Sequence, residues 1–469
     1  MSIKKGEIID LKIDSAAFKG KGIGRKNGKA VFVPNTAPGD HVKTRIIKRN
    51  KSYLEGRLLK VLEAGNNRIT PKCQHAKACG GCSWQHVDYE AQLAFKQQQV
   101  QDHMQRIGGL DDLTVKPTLR CENIFHYRNK MEYSIGHRRW LSREEINADE
   151  FISDRGFAAG LHAPGRFDKI LNLSECHLQD PISYQILDFI RQYCISHDIK
   201  PFNRNDFEGY LRNVVIRTSH HTDDLMVNLV TYKNEPDTVE GIAKALKDEF
   251  PAITTIVNNV NDRNNPTAVG RFEKVIIGSA SISDSIGPYQ FEISANAFFQ
   301  TNTLQAERLY EIARQYADLQ NDDIVYDLYC GVGTLSLFLS GHAEKIVGIE
   351  LEDVAVQNAV QNAKDNEVEN VHFVKGDMKD AFNDNVTDSY GAPDCLITDP
   401  PRNGMHPDVV ERLKKLEVPK MVYISCNTST MARDMKKLAD VYDIQEIQPV
   451  DMFPHTYHIE AVAKLRLKS

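Results

Sequence analysis

The 469-residue sequence has no run of about 18 uninterrupted apolar residues, which a membrane-spanning helix would need. Its opening stretch, MSIKKGEIIDLK, lacks the apolar core of a secretion signal. A disulfide framework is also missing. The nine cysteines, at 73, 79, 82, 121, 176, 194, 330, 395 and 426, are odd in number and carry no export context. These absences exclude a helical membrane protein and a secreted disulfide scaffold, and lead us to expect a cytoplasmic chain with no membrane partner. Nothing in the sequence implies an obligate protein partner.

What is present fits a globular protein with sizeable cores: 41% of residues are apolar and 26% charged. The length implies two to three domains. The net charge of −6 conceals an asymmetry, because residues 1 to 60 hold 15 Lys and Arg against 5 Asp and Glu. A basic module is joined to an acidic body, as expected where one end holds a polyanion.

Three domains are expected. Residues 1–62 alternate short β-like runs with GKG, NGK and PGD turns, the pattern of a small OB-like barrel. Lys19, Lys21, Arg25, Lys26 and Lys29 fall in its turns, and Arg45, Lys48, Arg49 and Lys51 in a later run, a pattern suited to RNA phosphates. Residues 63–285 show no repeat and read as a central α+β domain. From 286 to 469, helical and strand patterns alternate regularly, which predicts a doubly wound, Rossmann-like α/β sheet.

In this last part, DDIVYDLYCGVGTLSLFLS predicts a strand ending near Asp327, a turn at Gly331 and Gly333, and a helix from about Thr334. The next strand, KIVGIE, ends in Glu350, placed to accept hydrogen bonds from ribose hydroxyls. VHFVKGD ends at Asp377, and DCLITDPP brings Asp399, Pro400 and Pro401 to a strand end. Ser336 stands where a dinucleotide fingerprint would carry its third glycine, so S-adenosylmethionine, which has no phosphate, fits better than NAD. The plainer reading is structural glycines and solvated acids.

Cys426 ends the apolar run of VYISCNTST, at the carboxyl end of a strand. A helix is predicted from about Ser429 or Thr430 with Met431, Met435 and Leu438 buried, and a helix start would lower the thiol pKa. Alone, such a cysteine is more often a packed hydrophobe. Carbon 5 of uracil, however, accepts a methyl group only after a thiolate adds to carbon 6, and a base must then remove the carbon 5 proton. Glu460 in DMFPHTYHIE offers that carboxylate, although a lone glutamate is commonly a surface acid. Arg402 after Pro401 fits neither the cysteine common in RNA cytosine methylation nor the aromatic favoured for adenine amino methylation.

The chain resembles the RNA uracil-5 methyltransferases with an N-terminal TRAM domain. The likeness rests on residues 1–62, CQHAKACGGCSWQH, YRNKMEYS, FFQTN, DLYCGVG, DPPR, SCN and DMFPHTYHIE. It implies Cys426 as nucleophile, Glu460 as base and Phe298 as an aromatic holding the flipped-out base. The implied cofactor contacts are Gln300, Tyr329, Thr334, Glu350, Asp377 and Asp399. Thr428 replaces the proline that many members carry after SCN.

Cys73, Cys79 and Cys82 form C-x5-C-x2-C, and Cys176 can complete four thiolates, which suit zinc or an iron-sulfur cluster by spacing alone. The resemblance implies a [4Fe-4S] cluster on these four, serving folding and RNA binding. It also implies a uridine of 23S rRNA as substrate, because bacterial tRNA members commonly lack the four cysteines, with tRNA as the alternative. A reading of a different class is an iron-sulfur RNA-binding protein with an inactive methyltransferase fold. The presence of Cys426, Glu460 and Asp399 together disfavours it.

Overall fold

The computed structural model describes residues 3–147, 156–265 and 267–469. Near the N-terminus, β1 (Ile8–Lys12), β2 (Ser15–Ala16), β3 (Gly22–Lys26), β4 (Lys29–Val33), β5 (His41–Arg49) and β6 (Tyr53–Glu63) form a sheet in the order β1-β5-β6-β4-β3-β2. Alternate residues of β1 and β5 are buried, so Ile9, Leu11, Val42 and Ile46 share one apolar core with Val31, Val33 and Leu54. Register shifts between β5 and β6 curl the sheet. Asp14 N donates to the Ile23 carbonyl at 2.7 Å, drawing β3 against the end of β1. Only glycine fits at 24, where a Cβ would meet the Lys12 carbonyl.

The curled sheet keeps an unusual outer face. Lys43 stands directly across from Lys60 and Arg45 across from Arg57, all four exposed. Like charges opposite one another on a ladder repel, an arrangement that a polyanion would relieve.

Next come α1 (Tyr89–His103) and β7 (Thr114–Val115). The central sheet follows, in the order β10-β9-β8-β11-β12-β13-β14. Its first strands are β8 (Lys130–Gly136), β9 (Ala158–Ala163) and β10 (Arg166–Asn172), with the short α2 (Arg143–Asn147) after β8. α3 (Ile182–Ser196) leads to β11 (Leu211–Thr218) and β12 (Leu225–Thr231), and α4 (Pro236–Glu249) to β13 (Thr255–Val260) and β14 (Phe272–Ile277). α3 and α4 cover one face, burying Ile186, Ile190, Ile242 and Leu246 on Tyr133, Val214, Val227 and Ile256.

The hairpin β15 (Ser281–Ile286) and β16 (Tyr289–Ser294), with α5 (Thr303–Ala317), packs into the C-terminal core. There β17 (Ile324–Leu328), α6 (Thr334–Leu339), β18 (Lys345–Glu350), α7 (Asp353–Asp365) and β19 (Val371–Lys375) build one half. α8 (Met378–Ala381), α9 (Asp384–Tyr390), β20 (Cys395–Thr398), α10 (Pro407–Leu416), β21 (Lys420–Ser425), α11 (Thr428–Leu438), β22 (Tyr442–Val450) and β23 (Glu460–Leu467) build the other. The sheet order is β19-β18-β17-β20-β21-β23-β22-β7, with β17 through β21 parallel and β23 antiparallel to its neighbours. This is the doubly wound α/β sheet expected, and its order reverses between β17 and β20, where such sheets bind ligands. β7 pairs with β22, and Val100 and Met104, at the end of α1 and just beyond it, join the core of this sheet. That stretch of the sequence between 63 and 285 therefore packs with the C-terminal sheet. Among the described residues no helix is long and apolar enough to cross a membrane.

Candidate active site

Where β17 ends, the backbone turns through left-handed conformations at Tyr329 (φ 68°), Gly331 (φ 57°) and Gly333 (φ 79°). Gly333 is required sterically as well, since a Cβ would lie 2.7 Å from the Phe373 ring. Tyr329 is the exception: a bulky residue held in a costly conformation, over-determined by its N–H bond to the Ile349 carbonyl at 2.9 Å. The turn opens a small pocket whose walls include Phe298, Gln300, Tyr329, Thr334 and Asp399. Five of the residues expected from the sequence are thus brought together. Glu350 and Asp377 lie outside that lining. The Glu350 carboxylate accepts from Gly331 N at 3.1 Å and from Leu351 N at 2.7 Å, and Asp377 caps α8 by accepting from Lys379 N.

Two further residues of this pocket had not been assigned a role from the sequence. Tyr310 reaches across from α5 to share a hydrogen bond with Thr334 at 2.9 Å. Asp327 is buried and accepts from Ser336 Oγ at 2.6 Å, which gives the residue at the missing-glycine position its purpose. Burial pushes the Asp327 carboxyl up to about 7, with Asp399 and Glu350 adding repulsion, and burial pushes Asp399 up to about 6. A mouth crowded with carboxylates repels phosphate and favours a cation-bearing ligand.

Cys426 follows β21 directly. The α11 helix begins at Thr428, one or two residues earlier than expected, with Met431, Met435 and Leu438 fully buried as predicted. Asn427 caps it, accepting from Ser429 N at 3.2 Å while its amide donates to the Arg402 carbonyl at 2.8 Å. The expected lowering of the thiol pKa is reversed. Burial pushes the Cys426 thiol up to about 11, and the Glu460 and Asp399 carboxylates push the same way; the Arg402 guanidinium opposes them.

Glu460 reaches Cys426 through strand pairing. β21 and β23 are antiparallel, their ladder ends with Ser425 opposite Ala461, and the residues just beyond that end, Cys426 and Glu460, are near enough for the Glu460 charge to act on the thiol. Burial, then Asp399, holds the Glu460 carboxyl well above the usual carboxylate range, with Arg402 again opposing. Arg402 is therefore the cation shared by Cys426 and Glu460. The sequence marked it only as a residue that excludes other chemistries. His458 is pushed down to about 4 by burial and by Arg402, and stays neutral.

The loop leading to Glu460 is clamped from far away in sequence. Lys96 and Asp451, both fully buried, pair at 2.5 Å, and Lys96 also donates to the Phe453 carbonyl at 3.2 Å. Tyr89 donates to Asp451 at 3.0 Å. Gln92 accepts from His455 N at 2.9 Å, and Ser83 N and Trp84 N both donate to the His455 carbonyl at 2.9 Å. His455 itself has φ 65° and stacks on Phe125 with ring centroids 4.4 Å apart. The segment just after Cys82 thus grips the loop that leads to Glu460.

The four cysteines expected to bind metal lie near that grip. Gln74 N donates to Glu175 at 2.5 Å and His75 contacts Ser174 at 3.0 Å, which draws the first three cysteines to Cys176. Burial pushes Cys73 and Cys82 up to about 12 and Cys79 up to about 11, each raised further by neighbouring thiols of the set, and burial raises Cys176 as well. Gly81 N donates to the Cys79 sulfur and Gln85 to the Cys82 sulfur, both at 3.3 Å. Among the described residues no three His, Cys, Asp or Glu side chains converge as a single metal ion would require. Cys121, Cys194, Cys330 and Cys395 are buried.

Comparison with known proteins agrees with this geometry. Residues 211–468 match the family model described as tRNA (uracil-5-)-methyltransferase, and residues 3–59 match the TRAM domain. An uncharacterized RNA methyltransferase of Chlorobaculum tepidum is 41% identical over 98% of this chain and 96% of its own length. Another, from Bacteroides thetaiotaomicron, is 39% identical over 96% of this chain and all of its own. Among solved structures, the Pyrococcus abyssi tRNA (uracil-54, C5)-methyltransferase in complex with S-adenosyl-L-homocysteine superposes with a TM-score of 0.76 at 27% identity, covering 97% of this chain and all of that one.

Proposed function

The chain belongs to the RNA (uracil-5-)-methyltransferase family and is an S-adenosylmethionine-dependent enzyme, and we propose that it methylates carbon 5 of a uridine through a covalent bond between Cys426 and carbon 6. The observation that carries this reading is the end of the β21–β23 ladder, which brings Cys426 and Glu460 together with Arg402 acting on both, beside the Asp399 pocket. S-adenosylmethionine supplies the methyl group and brings a sulfonium charge. Gln300, Tyr329, Thr334 and Asp399 line its pocket, with Glu350 and Asp377 at the rim for its ribose and adenine. The exposed Phe298 ring holds the target base.

Each residue then has one task. Burial, then Glu460 and Asp399, keep the Cys426 thiol protonated until the donor's positive charge enters; its proton then passes to water, and Arg402 steadies the thiolate. Attack of the sulfur on carbon 6 forms the S–C bond and moves the ring's electron pair through carbon 5 onto the carbonyl oxygen. After carbon 5 has taken the methyl group, the Glu460 carboxylate removes its proton. The electron pair left behind reforms the C5–C6 double bond and expels the Cys426 thiolate. A carboxyl held well above its ordinary range is a stronger base, which suits this duty.

Cys73, Cys79, Cys82 and Cys176 would hold a [4Fe-4S] cluster. What supports this is a set of buried, mutually interacting thiols with N–H donors on two sulfurs. Bound there, the cluster supplies folding free energy and fixes the segment that grips the Glu460 loop.

For substrate, the reading is a uridine of 23S rRNA, which rests on the four cysteines, and the enzyme works in the cytoplasm. A tRNA uridine is the second reading, favoured by the Pyrococcus abyssi neighbour. The paired Lys43, Lys60, Arg45 and Arg57 face would hold either RNA by its phosphates. Incubation with methyl-labelled donor and each RNA, followed by nucleoside analysis, tests both: label is expected in 5-methyluridine of 23S rRNA. Label in cytidine or adenosine would overturn the reaction, and label in tRNA alone would overturn the substrate.

A further inference from the structure

The face of the central sheet opposite α3 and α4 carries a second cavity. On it, Glu132 of β8, Val215 of β11 and Asn228 of β12 form one row across the strands. They line a cavity of about 380 Å³, together with Lys130 one row away and Ala268 and Val269 from the loop before β14. Asn228 is only 2% exposed, and its side-chain oxygen has no hydrogen-bond partner. Such a group costs free energy unless something that comes and goes completes it.

The far wall ties the cavity to the active site. Ala295 and Asn296 close it, and Asn296 is pinned by bonds from Asn259 at 2.8 Å and to Glu273 at 3.0 Å. Phe298 and Gln300 of the same loop line the cofactor pocket, and Arg217 donates to the carbonyl of Ala297, between Asn296 and Phe298. Asn296 and Phe298 are two residues apart, at most about 7 Å of chain. A base held at Phe298 therefore puts a neighbouring nucleotide within reach of Asn228.

We propose that this cavity receives an unstacked adenine of the RNA next to the target uridine, read by the Asn228 carboxamide. The inference rests on the uridine methylation reading. A carboxamide offers one donor and one acceptor side by side, which matches the amino group and ring nitrogen of adenine in whichever orientation the amide is placed. Val215, Ala268 and Val269 supply apolar surface for the ring, and Lys130 supplies a cation for the adjoining phosphate. Unpaired bases are what proteins read in RNA by sequence.

The test uses the full-length protein and short single-stranded RNAs with one uridine, each flanking position carrying A, G, C or U in turn. Binding by fluorescence anisotropy and 5-methyluridine formation are both measured. The wild type should prefer adenine at one flank by about 10-fold to 100-fold. Asn228→Ala and Asn228→Val should lose that preference, with unchanged affinity for S-adenosylmethionine and an unchanged or raised melting temperature. Equal binding of all RNAs by the wild type, or a preference retained in both variants, overturns the proposal. Preference in binding without any 5-methyluridine keeps the cavity's role and overturns the catalytic reading instead.

Discussion

Cys426 and the quartet of Cys73, Cys79, Cys82 and Cys176 begin from one physical condition and, on the proposed function, are put to two chemistries. Burial lifts Cys426 to about 11 and Cys73 and Cys82 to about 12, so all are thiols at neutral pH. Their company differs. Cys426 has a cation, Arg402, that favours its thiolate and two carboxylates pressing the other way. The groups acting most on Cys73, Cys79 and Cys82 are other thiols, one carboxylate, Glu175, and N–H donors. A sulfur that must attack and be released needs charge that is balanced and reversible. A sulfur that is to stay bound needs a permanent metal partner. The same element serves as nucleophile or ligand according to the charges around it.

The contrast is broken most severely by exchanging the two kinds of cysteine for alanine. Cys426→Ala should lower methyl transfer by at least about 10⁴-fold while iron content and RNA affinity stay normal. Cys79→Ala should do the opposite, losing iron, visible absorbance and thermal stability first. Measured together, retained iron in Cys79→Ala or retained turnover in Cys426→Ala would erase the distinction. A smaller effect is expected from Arg402→Gln. It removes a cation that favours the thiolate, so activity should fall by about 10²-fold and the alkaline rise of the rate profile should move upward.

The smallest effect comes from the cofactor carboxylates. Asp327 and Asp399, raised to about 7 and about 6, are partly protonated below neutrality. Affinity for the cationic methyl donor should therefore rise by about 10-fold between pH 5.5 and 7.5, and titration calorimetry will show it. The stability of the free protein runs the other way. Groups whose folded values are raised favour the fold below about 4, and that contribution is lost as pH climbs through about 6 to 7. A flat binding profile would mean that these acids do not face the donor's charge.

The cofactor half was legible in the sequence because each parallel strand ends where its composition changes. The strand KIVGIE, the helix from Thr334 and the buried face of Met431, Met435 and Leu438 all lie where periodicity placed them. The catalytic pairing was not legible in this way. Glu460 faces Cys426 only because β23 returns antiparallel along β21, a fact of register that no local pattern encodes. The clamp was hidden for a different reason: the buried face of α1 includes Gln92 and Lys96, so its sequence YEAQLAFKQQQVQDH shows little apolar periodicity. The thiol pKa was misjudged because a helix start was weighed without the burial, and then the carboxylates, that folding imposes on it.

The central claim, that Cys426 attacks and Glu460 releases, is tested most directly by replacing the base alone. Glu460→Gln keeps the attack and the methyl transfer but removes the proton acceptor. With methyl-labelled donor and RNA, a denaturing gel should then show a slow-migrating labelled band of RNA joined to protein, absent from Cys426→Ala. Normal turnover by Glu460→Gln, or the same band formed by Cys426→Ala, would contradict the account.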